Sequence, residues 1–408
     1  MNIGIICYAS VGGSGIVATE LAKALAARGH DVHVLSADAP FRLGSYQPGL
    51  TFHRVTMLAY PLFREPEYLL ALASRTVQVS RDAGLDIVHA HYAVPHATAA
   101  YLAKQMLSSS GAEGPGDRGP RTTGPGDRGP RTTGPGDRGP RSNKVPRVIT
   151  TLHGTDITLV GSDHSYAETV AFSIERSDGV TAVSESLKAD TYRTLAVRND
   201  ITVIPNFLDC DVYRRVPNPA LRARYCPAGC EKLVIHVSNF RPVKRAPAVV
   251  EVFARIAAKV KARLLLVGDG PDLPQALDTA KALGVAKDVE ALGEQDHPVA
   301  LLSIADLFLL PSTQESFGLA ALEAMACKVP VVASRVGGLH EVIDHGATGF
   351  LHDVDDLQGM ADSGVSLLTD PELHARVAAA GRRVVRERFC HDLIVPRYEE
   401  YYAQILAK

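Results

Sequence analysis

Neither sign of charge is in excess: 43 Lys and Arg stand against 45 Asp and Glu, a formal net charge of -2 at pH 7. A nucleic-acid binder would show a basic footprint and a solvating tail a run of acids, so both classes fall away. No apolar run reaches the roughly 18 residues of a membrane span. No charged segment with a long apolar stretch precedes the strand-like IGIICY, so no secretory signal is read. The six Cys, at 7, 210, 226, 230, 327 and 390, are scattered and do not resemble a disulfide framework. Cys226 and Cys230 are close, but no second pair follows at zinc-site spacing. The expectation is a soluble cytoplasmic protein without a structural metal. Its 408 residues suffice for two domains, each with its own core.

What is present is an alternation of apolar strands with helical stretches, the pattern of a doubly wound α/β sheet. Residues 3 to 7 form a strand that breaks at SVGGSG. Apolar residues then recur at helical spacing from Ile16 to Arg28, and Gly29 offers a C-terminal cap. Gly12, Gly13 and Gly15 let backbone approach a ligand, and the helix points its N-terminus at the same place. They do not spell the G-x-G-x-x-G of a dinucleotide loop. Ser14 is read as the loop side chain able to hydrogen-bond a ligand. VHVLS and FHRV read as further strands, a helix as residues 66 to 83, and DIVHA as the next strand. His89, His91 and His96 follow without a matching carboxylate, which favours interior histidines over a metal site. Tyr92 lies just past a strand end, where α/β ligands bind.

Residues 111 to 142 carry GPGDRGPRTT twice with a third, truncated copy, and are almost free of apolar side chains. Such a segment buries no core and is expected to be a disordered surface insert. Gly does not recur every third residue, so it is not collagen. Beyond it, RVITTLHGTDIT reads as a strand ending at Thr150, Thr151, His153, Thr155 and Asp156. Ser184 is expected to cap a helix with Glu185 in its first turn, and ITVIPNFLD closes the first domain.

In the second half, KLVIHVSNF is a strand ending at Asn239, followed by Arg241, Lys244 and Arg245. Three cations at one strand-to-helix turn suit a diphosphate or a dicarboxylate. RLLLVGDGPD supplies another strand and a turn at Gly268, and DLFLLPS delivers the chain to Glu315. Glu315 and Glu323 stand eight residues apart, the second inside a helix. Eight helical residues rise about 12 Å, more than the about 5 to 9.5 Å between glycosidase carboxylates. The pair reads as two anchors on an extended ligand. Ser316 is expected to cap the helix, with Phe317, Gly318 and Leu319 in a first turn whose N–H groups favour a phosphate. Every candidate group thus falls at a strand's carboxyl end, which implies a cleft between two domains.

ESFGLAALEA, followed by CKVPVVAS and GGLHEVI, resembles the E-x7-E segment of retaining glycosyltransferases with the GT-B fold. Lys328 stands where that family usually has Gly, and His340 where it often has Pro. The resemblance spans nearly the whole chain outside the insert. GGSG, HYAVPHA, TLHGTDIT and SNFRPVKR place it nearest the bacillithiol-pathway branch, which joins N-acetylglucosamine to L-malate.

The resemblance implies a GT-B architecture of two Rossmann-like domains facing a cleft. An acceptor domain would cover 1–205, a nucleotide-sugar domain 206–388, and a last helix from 389 to 408 would return to the first domain. It implies UDP-N-acetylglucosamine as donor, with Glu315 on the sugar, Glu323 on the ribose and Arg241 and Lys244 near the diphosphate. Gly13, Asn239, Gly268, Phe317, Gly318 and Leu319 would complete the donor site. Ser14, Tyr92, Thr151 and Asn239 would line the malate site, with Arg245 a candidate for its carboxylates and His153 joining the catalytic set. No metal or other cofactor is expected, and a homo-oligomer stays open. Rival readings are a GT-B transferase with another acceptor, a UDP-N-acetylglucosamine 2-epimerase, and a sugar-nucleotide-binding regulator.

Overall fold

The computed structural model describes residues 1–9, 12–57, 68–110, 144–226, 232–296 and 298–408. The repeat insert, Cys230 and the first two residues of SVGGSG lie outside these. Seven strands make the first sheet: β1 (Asn2–Ile6), β2 (Asp31–Ser36), β3 (Leu50–Arg54), β4 (Ile87–His91), β5 (Arg147–Leu152), β6 (Gly179–Ala182) and β7 (Ile201–Val203). Their order is β3-β2-β1-β4-β5-β6-β7. Six make the second: β8 (Lys232–Val237), β9 (Ala262–Val267), β10 (Val289–Ala291), β11 (Leu307–Leu310), β12 (Val331–Ser334) and β13 (Phe350–His352), ordered β10-β9-β8-β11-β12-β13. Each pairing within both sheets is parallel. Parallel strands need helical crossovers that cover both faces, and so their sequences are continuously apolar. LVII-type runs such as Leu264, Leu265 and Leu266 are accordingly fully buried. In both sheets the order reverses beside the first strand, and ligands of such sheets bind there, off the carboxyl ends.

The helix Gly13–Ala27 ends as the sequence predicts, with Gly29 at φ 90 just past it. Ser184 caps the helix Glu185–Thr194, its hydroxyl accepting from the Leu187 N–H at 3.0 Å. The helix beginning after Glu315 departs from expectation. It runs from Leu319 to Ala326 with Gly318, at φ 93, as N-cap, so Ser316 caps nothing. The Ser316 carbonyl instead accepts from the Ser184 hydroxyl of the first domain at 2.6 Å. A tertiary contact has replaced the local one.

The last helix, His391–Ala407, lies on the first domain, where Ile394, Tyr398 and Tyr402 share a buried cluster with Ile3, Ile5, Val17 and Leu21. Glu399 adds surface bonds to Arg28 at 2.9 Å and His30 at 2.8 Å. At the crossing between domains, Leu208 bridges Cys390, and Cys210 is disulfide-bonded to Cys390 across Cα atoms 5.5 Å apart. The scattered spacing of the six cysteines, read as no disulfide framework, gave no sign of this one pair. The partners are 180 residues apart, and only the outgoing and returning crossings of the chain bring them together.

Candidate functional site

The carboxyl ends of both sheets face one cavity of about 610 Å³, within the range of small-ligand sites. From the first domain its wall includes Gly13, Ser14, Tyr92 and His153; from the second, Asn239, Arg241, Lys244 and Gly268. Glu315, Phe317, Gly318, Leu319 and Glu323 complete it. The domains meet closely beside it. Gly154 has φ 115, and a Cβ there would stand 1.6 Å from Ser316 Oγ, so only glycine fits this approach. Glu341 of the second domain accepts from the Glu185 and Ser186 N–H groups, both at 2.9 Å, at the N-terminus of a first-domain helix.

Two helices begin at the cavity without a side-chain cap, at Gly13 and at Leu319. Their free N–H groups and dipoles favour anionic ligand groups. Lys244 Nζ donates to Glu315 Oε1 at 2.6 Å, and the Ser312 hydroxyl donates to the same oxygen at 2.8 Å. The Glu315 backbone is held as well: its carbonyl accepts from the Gly338 N–H at 2.9 Å, and a Cβ on Gly337, at φ 50, would lie 1.9 Å from that oxygen. The GG turn that precedes His340 thus sets where Glu315 stands. Arg241 Nε is buried without a hydrogen-bond partner among the described residues.

On the first-domain side, Tyr92 takes φ 99 at the end of β4, and its ring lies 5.4 Å from that of His153. His153 Nε2 is 2.8 Å from His91 Nδ1. Burial pushes His153 down to about 3 and His89 to about 3, so both rings are neutral at physiological pH. The Asp156 carboxylate accepts from the N–H groups of His153, Gly154 and Ala93 and pins the loop; burial raises it to about 6. The histidines of β4 are interior, as the sequence implies, and among the described residues no group of three or more His, Cys, Asp or Glu is placed to hold a metal.

Two expected residues do not line the cavity. The buried Thr151 hydroxyl sits between His89 Nε2 at 2.7 Å and Thr181 Oγ1 at 2.6 Å, because the β5 pleat turns it into the sheet's interior polar network. Arg245, at φ 50, turns away to the Val354 carbonyl and to Asp355 Oδ1 at 3.2 Å. Conversely, the wall includes Arg42, Thr155, Thr158, Asn206, Glu294 and Gln295. Of these only Thr155 carries a signal in the sequence, as part of the polar strand end. Arg42 and Asn206 stand in irregular stretches with no motif of their own.

The family model Glycosyltransferase Family 4 matches residues 11–109 and 134–212, and Glycosyl transferases group 1 matches 219–384. Over 406 residues the chain is 45% identical to N-acetyl-alpha-D-glucosaminyl L-malate synthase of Bacillus anthracis, covering 100% of this chain and 97% of that one. A D-inositol 3-phosphate glycosyltransferase of Thermobispora bispora is 32% identical over about half of each chain, 51% and 51%. Among solved structures, sucrose-phosphate synthase from Thermosynechococcus elongatus superposes with a TM-score of 0.78 at 22% identity, covering 100% of this chain and 99% of that one. Anabaena Alr3699/HepE in complex with UDP and glucose gives 0.76 at 18%, covering 99% of each. With both halves matched by transferase models and one relative matched end to end, the chain belongs to the GT-B glycosyltransferases.

Proposed function

We propose that the protein transfers N-acetylglucosamine from UDP-N-acetylglucosamine to the hydroxyl of L-malate, with retention at the anomeric carbon. The observation that carries this reading is the 45% identity to a malate-glucosaminylating relative along the whole chain. That relative's product is named as alpha, and the donor's own anomeric bond is alpha, which favours retention. The malate hydroxyl would attack on the face from which the diphosphate departs. As the new C–O bond forms and the bond to phosphate breaks, the hydroxyl proton passes to the leaving phosphate oxygen, and UDP departs. No protein base is required.

In this reading Arg241 and Lys244 stabilise the charge growing on the diphosphate, together with the N–H groups before Leu319. Glu315 receives sugar hydroxyls and Glu323 the ribose. Ser14, Tyr92 and Asn239 are assigned to malate, and the neutral His153 offers a hydrogen bond rather than a proton. The cations supply the charge that a divalent metal supplies elsewhere, so turnover is expected to survive EDTA, measured as UDP release. Loss of activity restored by a divalent cation would reject that part. The setting we assign is cytoplasmic; no helix among the described residues is long and apolar enough to cross a membrane.

The test is UDP release from UDP-N-acetylglucosamine with and without L-malate, with the product mass read in parallel. Malate-dependent UDP and a glucosaminyl-malate mass are expected. Malate-independent release would reject the acceptor, and an epimerised sugar without transfer would favour the isomerase.

A further inference from the structure

Arg42 belongs to the first domain, between β2 and β3, with φ 68. Its guanidinium nevertheless reaches the other wall. It donates to the Asp296 carbonyl at 3.1 Å and to the Tyr213 hydroxyl, and its Nη1 lies 3.5 Å from Glu323 Oε1. The side chains of Arg42 and Glu323 are only 7% and 6% exposed, yet both line the cavity. Glu323 Oε1 has no hydrogen-bond partner among the described residues. A carboxylate buried this deeply at a cavity wall is costly to ionise, and the nearby guanidinium and the Tyr213 hydroxyl are what make its charge tolerable there.

We propose that Arg42 is a positioning residue for donor binding, reaching across the closed cleft to hold the Glu323 carboxylate where the donor's ribose diol meets it. The contact is complete only when the two domains are together. This rests on the assignment of Glu323 to the ribose. The charged and titratable groups around Glu323 are Arg42 and Glu20 from the first domain, Tyr213 from the crossing segment, and Cys327 at the end of its own helix. Burial raises the Glu323 pKa, Arg42 and Tyr213 lower it, and Glu20 raises it. Removing Arg42 therefore pushes it further up.

Steady-state kinetics of the full chain test this. Arg42→Met is expected to raise the donor KM about tenfold or more, about 1.4 kcal/mol, with the malate KM little changed. The acid limb of kcat/KM for the donor should move to higher pH, since that limb reports the free enzyme. Arg42→Lys, which keeps the charge, should return the limb toward its original position. A donor KM within about twofold of the unsubstituted enzyme, or a KM effect with an unmoved acid limb in a variant that melts normally, overturns the proposal. Binding of UDP against 2′,3′-dideoxyuridine diphosphate separates it from the underlying assignment. If Glu323→Ala abolishes the preference for UDP and Arg42→Met leaves it whole, Arg42 fails alone. If Glu323→Ala keeps the preference, the ribose assignment fails and takes the Arg42 proposal with it.

Discussion

Lys244 and Glu315 hold one another at the cleft wall, and a bound donor would divide them between diphosphate and sugar. Lys244→Ala therefore removes a cation from the site of charge development and leaves a nearly buried carboxylate without its counter-charge. The expected result is a fall of about 10² to 10³ in kcat with a smaller change in donor KM. A rise in KM at constant kcat would make Lys244 a ground-state binder.

The buried histidines give a second consequence at this scale. His89 and His153 are held to about 3, and His96 and His236 to about 4, chiefly by burial. Between those values and about 6.5 the unfolded chain binds more protons than the folded one, so stability is full above that range and falls on acidification. Asp156, raised to about 6, and Glu323, raised by burial, work the other way as pH falls, but His91 and His53, which burial also lowers, stand with the four rings. The urea midpoint should decline steadily from pH 6.5 to 4, and His89→Gln should flatten the decline. A midpoint constant over that interval would contradict the burial of these rings as neutral groups.

At the scale of elements, Lys328 shows what a local departure costs. It follows the helix Leu319–Ala326 at φ 57, a left-handed conformation that glycine takes freely, while His340 is exposed near the start of a short helix. Because the Lys328 side chain is exposed, little packing is lost on removing it. Lys328→Gly should stabilise the protein by about 0.5 to 1 kcal/mol in denaturant melts without altering donor KM. The capping expected of Ser316 failed for the opposite reason. Its signal is a local rule, and the backbone there serves a contact with Ser184 that lies 132 residues away.

For the molecule as a whole, the Family 4 match stops at 109, just before the repeat insert, and resumes at 134, within its last copy. The insert itself lies outside the described residues. Deleting 111–142 is expected to leave kcat/KM within about twofold, since shortening the connection between a helix and the next strand costs little. Loss of soluble folding would contradict this. The Cys210–Cys390 pair bears on the cytoplasmic assignment, because reducing compartments ordinarily keep such pairs as thiols. Thiol counting on protein quenched inside cells would decide it: two thiols at these positions support the assignment, a disulfide there opposes it.

Periodicity and glycine placement were enough to read most of the strands of two doubly wound sheets, to put Ser14, Tyr92, His153, Asn239, Lys244 and Glu315 at or just past strand ends and to put Glu323 in the helix that follows, because such patterns express short-range geometry; the three-residue strands Ile201–Val203 and Phe350–His352 are too short to show one. Which of the strand-end groups share a cavity depended on the pleat and on φ at single residues. These turned Thr151 inward and Arg245 aside. Arg42 and the Cys210–Cys390 link carry no pattern in the chain at all, since each exists only where segments far apart in sequence are pressed together. The elements were legible because their causes are local; the composition of the cleft was decided by the closing of two domains on one another.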